Sequence, residues 1–289
     1  MSSSLSVNLA ELTDSQRSAL ISLLADEDPA VYEPVSEAIL SHGSEAVEWL
    51  KPFLLSDDPP LRRRARDIVD HFARQDADTS FLGFCLSQGE EFDMERGTWL
   101  LARTTFPNIN IEAYGALLDS YAGTLRERMR PDWSPEELLI AINDFLFDEL
   151  RFKGNEEDYY NPDNSYLNRV MDQRTGNPLS LCLVYMWVAR RLKLPVTGIG
   201  MPGHFVCRYQ DSRTEIYIDA FNGGQFLGKA DCIRFLVQTR QNFDESLLSP
   251  VSSRRMLLRI CANLHQIYSQ QERAEEVSRF QRYLVALAR

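Results

Sequence analysis

Several features that would point to particular classes of protein are missing from this chain. It has no run approaching the roughly 20 apolar residues that span a bilayer. Its most apolar stretch, Leu179 to Leu194, is interrupted by Arg190, Arg191 and Lys193. No apolar segment follows a basic one near the N-terminus, as a secretory signal requires. We therefore expect a cytoplasmic protein without a membrane partner.

Cysteines are few and scattered. The five are Cys85, Cys182, Cys207, Cys232 and Cys261, and none forms a Cys-x-x-Cys motif. Because no His or acidic residue stands at ligand spacing from Cys207 and Cys232, a zinc site is not indicated. The sequence also lacks a Walker loop, a Gly-x-Gly-x-x-Gly motif and a Gly-x-Ser-x-Gly motif. We expect neither a metal ion nor a cofactor.

Basic residues are outnumbered in this chain, with 31 Lys and Arg against 42 Asp and Glu. The formal net charge is -11 and the isoelectric point is near 5.0. A surface of this charge repels nucleic-acid phosphates. We therefore expect no nucleic-acid partner, and the sequence leaves the oligomeric state open.

Helical periodicity dominates the chain except in one stretch. Asp28-Pro29 and Asp57-Asp58-Pro59-Pro60 each precede an amphipathic pattern, which predicts a HEAT-like helical region over residues 1–110. Period-two patterning replaces helical spacing only at about Val196 to Phe226, so we predict a small antiparallel sheet confined to that stretch. Two amphipathic patterns over residues 251–289 predict a tetratricopeptide-like helical hairpin, which must dock on the core or on a partner.

A loop, a capped apolar helix and short strands carry the candidate functional residues. Asn177 and Pro178 suit the N-cap and the first position of a helix. His204 stands near the start of one predicted strand, and Asp219 ends the next. Papain-like and transglutaminase-like enzymes assemble a nucleophile, a base and an orienting group in this order. Cys182 lies about 6 Å further along the helix axis than Pro178.

The stretch from Phe152 to Gly224 carries several rare motifs in one order. It reads F-x-G-N-x-x-x-Y-Y-x-P-x-N-S-Y-L-N, then G-x-P-x-S-L, then P-G-H-F and I-D-A-F-N-G-G. Over roughly residues 111 to 235, these motifs resemble the bacterial SirB-type transglutaminase-like family. The resemblance implies a transglutaminase-like (papain-like) core over residues 111–250. The fold class is then α+β, and mainly α.

Carried onto this sequence, the family's His is His204 and its Asp is Asp219. The resemblance implies that active members of the wider superfamily place a cysteine nucleophile at the start of the helix, where this chain has Pro178. Proline at that position is, on the same resemblance, a trait of the SirB-type branch. We therefore expect a non-catalytic protein that binds a peptide or protein partner in the inherited cleft, in a regulatory or scaffolding role. The candidate cleft-binding residues are Asn177, Ser180, Asn222 and Gly223.

A cysteine-dependent hydrolase or acyl-transferase is the alternative. It would use Cys182 as a nucleophile displaced by one helical turn, with His204 as base and Asp219 as orienting group. Cys182 is flanked by leucines, so it also fits the description of a small buried apolar side chain. Ser180 is nearer the helix start, but as a nucleophile it would need a base in hydrogen-bond contact.

Overall fold

The structure is a computed structural model, and it describes residues 12–239 and 245–289. These residues form an α+β protein that is mainly helical, as predicted, with twelve α-helices and six strands. They divide into two compact units. The first unit extends to Asp78 and includes Thr104–Asn108, and the second consists of Thr79–Arg103 and Ile109–Arg289. The three-part division at residues 110 and 250 remains our proposal.

The first unit consists of helices, two of which start after an aspartate. Its helices are α1 (Asp14–Leu24), α2 (Pro29–Ser41), α3 (Ala46–Leu50) and the first part of α4 (Pro59–Ser87). Asp28 and Asp58 accept hydrogen bonds from the backbone amides of Ala30 and Leu61 at 2.9 and 3.1 Å. Such caps satisfy amides that the start of a helix leaves unpaired. Each of the two Asp-Pro sequences therefore lies at the start of a helix, as predicted.

The second unit contains the remaining helices and all the described strands. Its helices after α4 are α5 (Met94–Arg103), α6 (Ile111–Arg128), α7 (Pro135–Asn143), α8 (Leu167–Gln173), α9 (Pro178–Arg191), α10 (Lys229–Gln238), α11 (Ser253–Gln270) and α12 (Ala274–Leu287). Its strands are β1 (Lys153–Gly154), β2 (Thr175–Gly176), β3 (Val196–Met201), β4 (His204–Gln210), β5 (Glu215–Asp219) and β6 (Gln225–Leu227).

The main sheet has four strands in the order β3-β4-β5-β6, and all neighbouring strands are antiparallel. It lies where the period-two patterning predicts it. The prediction that strands are confined to this stretch is wrong, because β1 and β2 pair in parallel, with Lys153 opposite Thr175 and Gly154 opposite Gly176. Two-residue strands carry no periodic signal. Their pairing arises only when the fold brings the loop before α8 beside the start of α9.

Helix α9 occupies the centre of the second unit. Most of its residues from Pro178 to Ala189 are buried, and it packs against β3, β4 and α6. A helix that is apolar almost all round is enclosed by other elements. Near its C-terminus, Arg190 and Arg191 pair with the buried carboxylate of Glu95. These contacts hold the helix in place, and with it the groups at its N-terminus.

The C-terminal helices α11 and α12 form a hairpin that docks on the rest of the second unit. Arg254, in the first turn of α11, is 8% exposed. Its guanidinium donates hydrogen bonds to the carbonyls of Ala286 and Leu287 at 2.8 and 2.9 Å. It also donates to the carbonyls of Cys85 and Gln88 at 3.2 and 3.0 Å. These carbonyls lie at or next to the C-terminal ends of α12 and α4, where a helix leaves acceptors unpaired.

Replacing Arg254 by Met should lower the free energy of unfolding by about 3 kcal/mol, since buried acceptors would lose a charged donor. Chemical denaturation followed by circular dichroism measures the change. Arg255→Met is the matched control, because Arg255 is the exposed neighbour on the same helix. The control should alter stability by less than about 0.5 kcal/mol. Equal stabilities of the two variants would contradict the anchoring role of Arg254.

Candidate functional site

A cavity of about 400 Å³ lies at the N-terminus of α9, beside the turn that joins β3 to β4 and the middle of α11. Pro178, His204 and Arg259 line it from these elements. Tyr159 and Tyr160 form an aromatic rim, with exposed fractions of 39% and 55%. The volume is at the lower end for ligand pockets, which span about 300–1,000 Å³. We refer to this cavity as the cleft.

His204 and Asp219 form a hydrogen bond at the cleft. His204 begins β4 directly after the Pro202-Gly203 turn, in which Gly203 has a φ of +75°. Asp219 ends β5, and its Oδ2 lies 2.8 Å from Nε2 of His204. The two side chains are therefore in direct contact, as a base and its orienting group would be. Nδ1 of His204 has no hydrogen-bond partner in the described part of the chain.

The Asp219 carboxylate is surrounded by donors. Besides His204, it accepts hydrogen bonds from the amides of Phe221 and Asn222 at 3.2 Å each and from Nδ2 of Asn222 at 2.8 Å. Burial raises the pKa of Asp219, but the hydrogen bond and charge of His204, together with the Asn222 bonds, outweigh burial and hold the pKa below its usual value. The carboxylate is therefore ionised at neutral pH and orients the imidazole.

The loop after Asp219 is held from two sides. Asn143 on α7 donates from Nδ2 to the carbonyl of Gly224 at 2.7 Å. A Cβ on Gly224 would lie 2.5 Å from Asn143, and the φ there is +78°, so glycine is required. The amides of Asn222 and Gly224 both donate to Asp219, so neither is free for a ligand. Asn222 lines a second cavity of about 470 Å³ beside Asp219, and Gly223 is exposed at the turn.

The start of α9 is built by a closed set of hydrogen bonds. Asn177 is the N-cap and Pro178 the first helical residue, as predicted. Oδ1 of Asn177 accepts from the Ser180 amide at 2.9 Å, and Oγ of Ser180 accepts from the Asn177 amide at 3.0 Å. Oγ of Ser180 donates to the carbonyl of Asn164 at 2.6 Å, and Nδ2 of Asn177 donates to Ser165 at 2.9 Å. The side chains of Asn177 and Ser180 are therefore both occupied by hydrogen bonds at the start of the helix, and Ser180 is 1% exposed.

Cys182 lies in the core, and it is not among the residues that line the cleft. Its side chain is 0% exposed, and its Sγ donates to the carbonyl of Phe205 at 3.5 Å. Cys207 in turn donates to the carbonyl of Cys182 at 3.5 Å. Burial raises the pKa of Cys182 well above its usual value, and Cys207 and Asp219 add to the increase. The thiol is therefore protonated at neutral pH.

Some residues that line the cleft were not predicted from the sequence to be functional. Arg259, Asn263 and Gln266 of α11 line the cleft. They recur at positions i, i+4 and i+7, which places them on one face of the helix. That polar stripe is a signal in the sequence, but a stripe alone does not distinguish a face in water from a face in a cleft. Tyr159 and Tyr160 belong to the quoted motif, where nothing local marks them as the rim of a cavity.

Within residues 12–239 and 245–289, no three His, Cys, Asp or Glu side chains come together in a group that could hold a metal ion. In the same ranges, every helix is too short or too polar to cross a bilayer. All five cysteines are free and buried.

Residues 112–262 match the transglutaminase-like superfamily. A UPF0162 protein of Xylella fastidiosa is 34% identical over 194 residues, which cover 62% of this chain and 66%, just under two thirds, of that protein. A UPF0162 protein of Pseudomonas aeruginosa is 27% identical over 192 residues, which cover 64% of this chain and 68% of that protein. F-box only protein 21 of Mus musculus is 38% identical over 136 residues, which cover 44% of this chain and 21% of that protein. No solved structure matches the chain.

His204→Gln should raise the pKa of Asp219, because the substitution removes the imidazole charge while the carboxylate stays buried. A carbon-13 NMR titration of labelled aspartate carboxyl groups measures this pKa. Since the folded-state pKa of Asp219 is depressed, the stability it contributes is present above the unfolded-state pKa, about 3.9. That stability is lost as the pH falls through the folded-state pKa. In the variant, the contribution should therefore be smaller, and its loss should be complete at a higher pH.

His265→Gln is the matched control for this titration, because His265 on α11 is not among the groups that act on Asp219. The His265→Gln substitution should leave the titration curve of Asp219 unchanged. An Asp219 pKa that is the same in the wild type and in His204→Gln would show that the two side chains do not interact.

Proposed function

The chain belongs to the transglutaminase-like superfamily, and from this premise we propose that it is a non-catalytic member that binds a peptide or protein segment in the cleft. Its role is regulatory or scaffolding. We assign it to the SirB type on the motifs between Phe152 and Gly224. We place it in the cytoplasm because its five free, buried cysteines suit a reducing compartment.

The position of Pro178 carries this proposal. In active members of the superfamily, as the resemblance implies, a cysteine stands here, and a thiolate is stabilised by the positive end of a helix and a nearby His. Here proline lines the cleft together with His204 and supplies no nucleophile. The described lining of the cleft contains neither a Cys nor a Ser. The His204–Asp219 pair therefore adjoins a surface suited to binding.

The alternative, a cysteine-dependent hydrolase or acyl-transferase, has weaker support. Cys182 would have to act from the core, where its raised pKa leaves little thiolate. Ser180 donates its hydroxyl proton to the carbonyl of Asn164 at 2.6 Å and not to an imidazole. Since a general base must lie within hydrogen-bond reach of the proton that it removes, neither residue has the partner that a nucleophile needs.

The cleft has the composition of a peptide-binding site. The rings of Tyr159 and Tyr160 are exposed and stand edge to face, with centroids 5.3 Å apart. Tyrosine side chains of this kind are enriched among the residues that dominate binding energy at protein interfaces. His204, Asn263 and Gln266, whose side chains can form hydrogen bonds, line the same cavity. We therefore expect a short segment of a partner, and not a whole domain, to enter the cleft.

Cys182 should resist iodoacetamide in the folded protein at pH 6, and His204→Ala should leave its labelling rate unchanged, because the thiol is buried and protonated. Mass spectrometry of tryptic peptides measures the rate. Pro178→Cys is the comparison, since a thiol at the helix start should label quickly at pH 6 and only while His204 is present. Fast, His204-dependent labelling of Cys182 in the wild type would overturn the proposal and identify a cysteine enzyme.

Peptide binding tests the proposal directly. A library of N-acetylated hexapeptides is passed over immobilised full-length protein, and the Kd of each retained peptide is measured by fluorescence polarisation. Tyr160→Ala should weaken binding about tenfold, because it removes an exposed aromatic anchor.

Val285→Ala is the control for that variant. Val285 is a similarly exposed apolar side chain, at 49% against 55% for Tyr160, and it lies outside the cleft. Its replacement should leave every Kd unchanged. If no hexapeptide is retained above a denatured-protein blank, or if Tyr160→Ala binds like the wild type, the cleft does not have the proposed function.

A further inference from the structure

Arg259 places a positive charge at the cleft. It lies near the middle of α11, is partly buried and lines the cavity. Within the described part of the chain, no Asp or Glu pairs with it. In the same unit, Arg191 pairs with Glu95 and Arg169 pairs with Asp163. The buried Arg254 has no carboxylate among the described residues, but its guanidinium donates to four carbonyls, whereas that of Arg259 donates to one. The charge of Arg259 is therefore left for a group outside the chain.

Uncharged neighbours hold the guanidinium of Arg259 in place. Its Nη2 donates to the carbonyl of His204 at 2.9 Å, and the group lies over the Phe205 ring, 5.6 Å from the centroid. An arginine has five N–H groups in a planar fork, so this hydrogen bond orients the fork and leaves most of its donors unused. A ligand would meet a cation whose geometry is already set, which lowers the entropy lost on binding.

Burial makes a lone charge unfavourable. It lowers the pKa of the Arg259 guanidinium from its usual value, and a cation taken out of water without a partner loses hydration that nothing replaces. Two parallel N–H···O bonds to a carboxylate are the strongest hydrogen-bonding arrangement that arginine forms. An anion in the cleft would therefore relieve the cost of burying Arg259.

On the premise of the proposed peptide-binding function, we infer that the cleft selects peptides that carry a carboxylate, which Arg259 binds through its unused N–H groups. A carboxylate fits better than a phosphate, because Arg259 is the only Lys or Arg in the described lining and phosphopeptide sites use clusters of arginines. Asn263 and Gln266 follow on the same face of α11 and line the same cavity. Their amides are placed to bind the backbone of the same peptide.

The carboxylate can come from a free C-terminus or from an Asp or Glu side chain, and three matched sets of N-acetylated hexapeptides separate these sources. The first set has a free C-terminus and no acidic residue. The second has an amidated C-terminus and one Glu, and the third has an amidated C-terminus with Gln in place of that Glu. One of the first two sets should bind the full-length protein about tenfold more tightly than the third. That set identifies the source.

Substitutions at Arg259 connect the preference to this side chain. Arg259→Gln should bind all three sets with similar Kd, whereas Arg259→Lys should keep part of the preference, because lysine retains the charge but not the fork. Arg255→Gln is the matched control, since Arg255 is exposed on the same helix and does not line the cleft. It should keep the full preference.

The outcomes separate this inference from the function on which it rests. Measurable binding with equal Kd for the three sets would overturn the inference and leave peptide binding standing. An undiminished preference in Arg259→Gln would also overturn it. Retention of no peptide from any set would overturn both. If Arg259→Gln loses all binding through its contact with His204, then carboxylate-preferring binding by Arg259→Lys supports the inference and its absence overturns it.

Discussion

A buried helix must satisfy the amides of its first turn, and this constraint shapes the centre of the second unit. The start of α9 meets it with Asn177 and Ser180, whose side chains cap each other's amides, and with Pro178, which has no amide hydrogen to satisfy. Asn164 and Ser165 tie this cap to the preceding loop. One set of hydrogen bonds therefore holds the helix, the loop that carries the aromatic rim and the base of the cleft.

Pro178, which helps to meet this constraint, also lines the cleft. An activated thiolate needs the positive end of the helix beside it, whereas Pro178 covers that end with an apolar ring. Asp219 also has a structural role. Its carboxylate accepts hydrogen bonds from the backbone amide and the side chain of Asn222, and these bonds fix the loop that follows β5. The His204–Asp219 pair also fixes the orientation of the imidazole beside the cleft.

Helix α11 performs two tasks through two arginines. Arg254 is buried and donates to the carbonyls at the ends of two other helices, whereas Arg259 reaches the carbonyl of His204 and lines the cleft. Residues five positions apart on a helix differ by about 140° around its axis, so the two side chains leave different faces. The C-terminal hairpin is thus anchored to the core and also forms part of the wall of the cleft.

Local patterns in the sequence by themselves determined the helix starts and the place of the main sheet, whereas the resemblance to the transglutaminase-like family implied the roles of His204 and Asp219. Caps such as Asn177 act over two or three residues, and strand patterning repeats every two, so both are visible in a short window. Only the tertiary structure decided that Cys182 is desolvated, that β1 and β2 pair, and that Arg259 donates to a carbonyl 55 residues away. These contacts join segments with no periodic relation to each other. Desolvation of a thiol, likewise, is a property of the packed core and not of its neighbours in sequence.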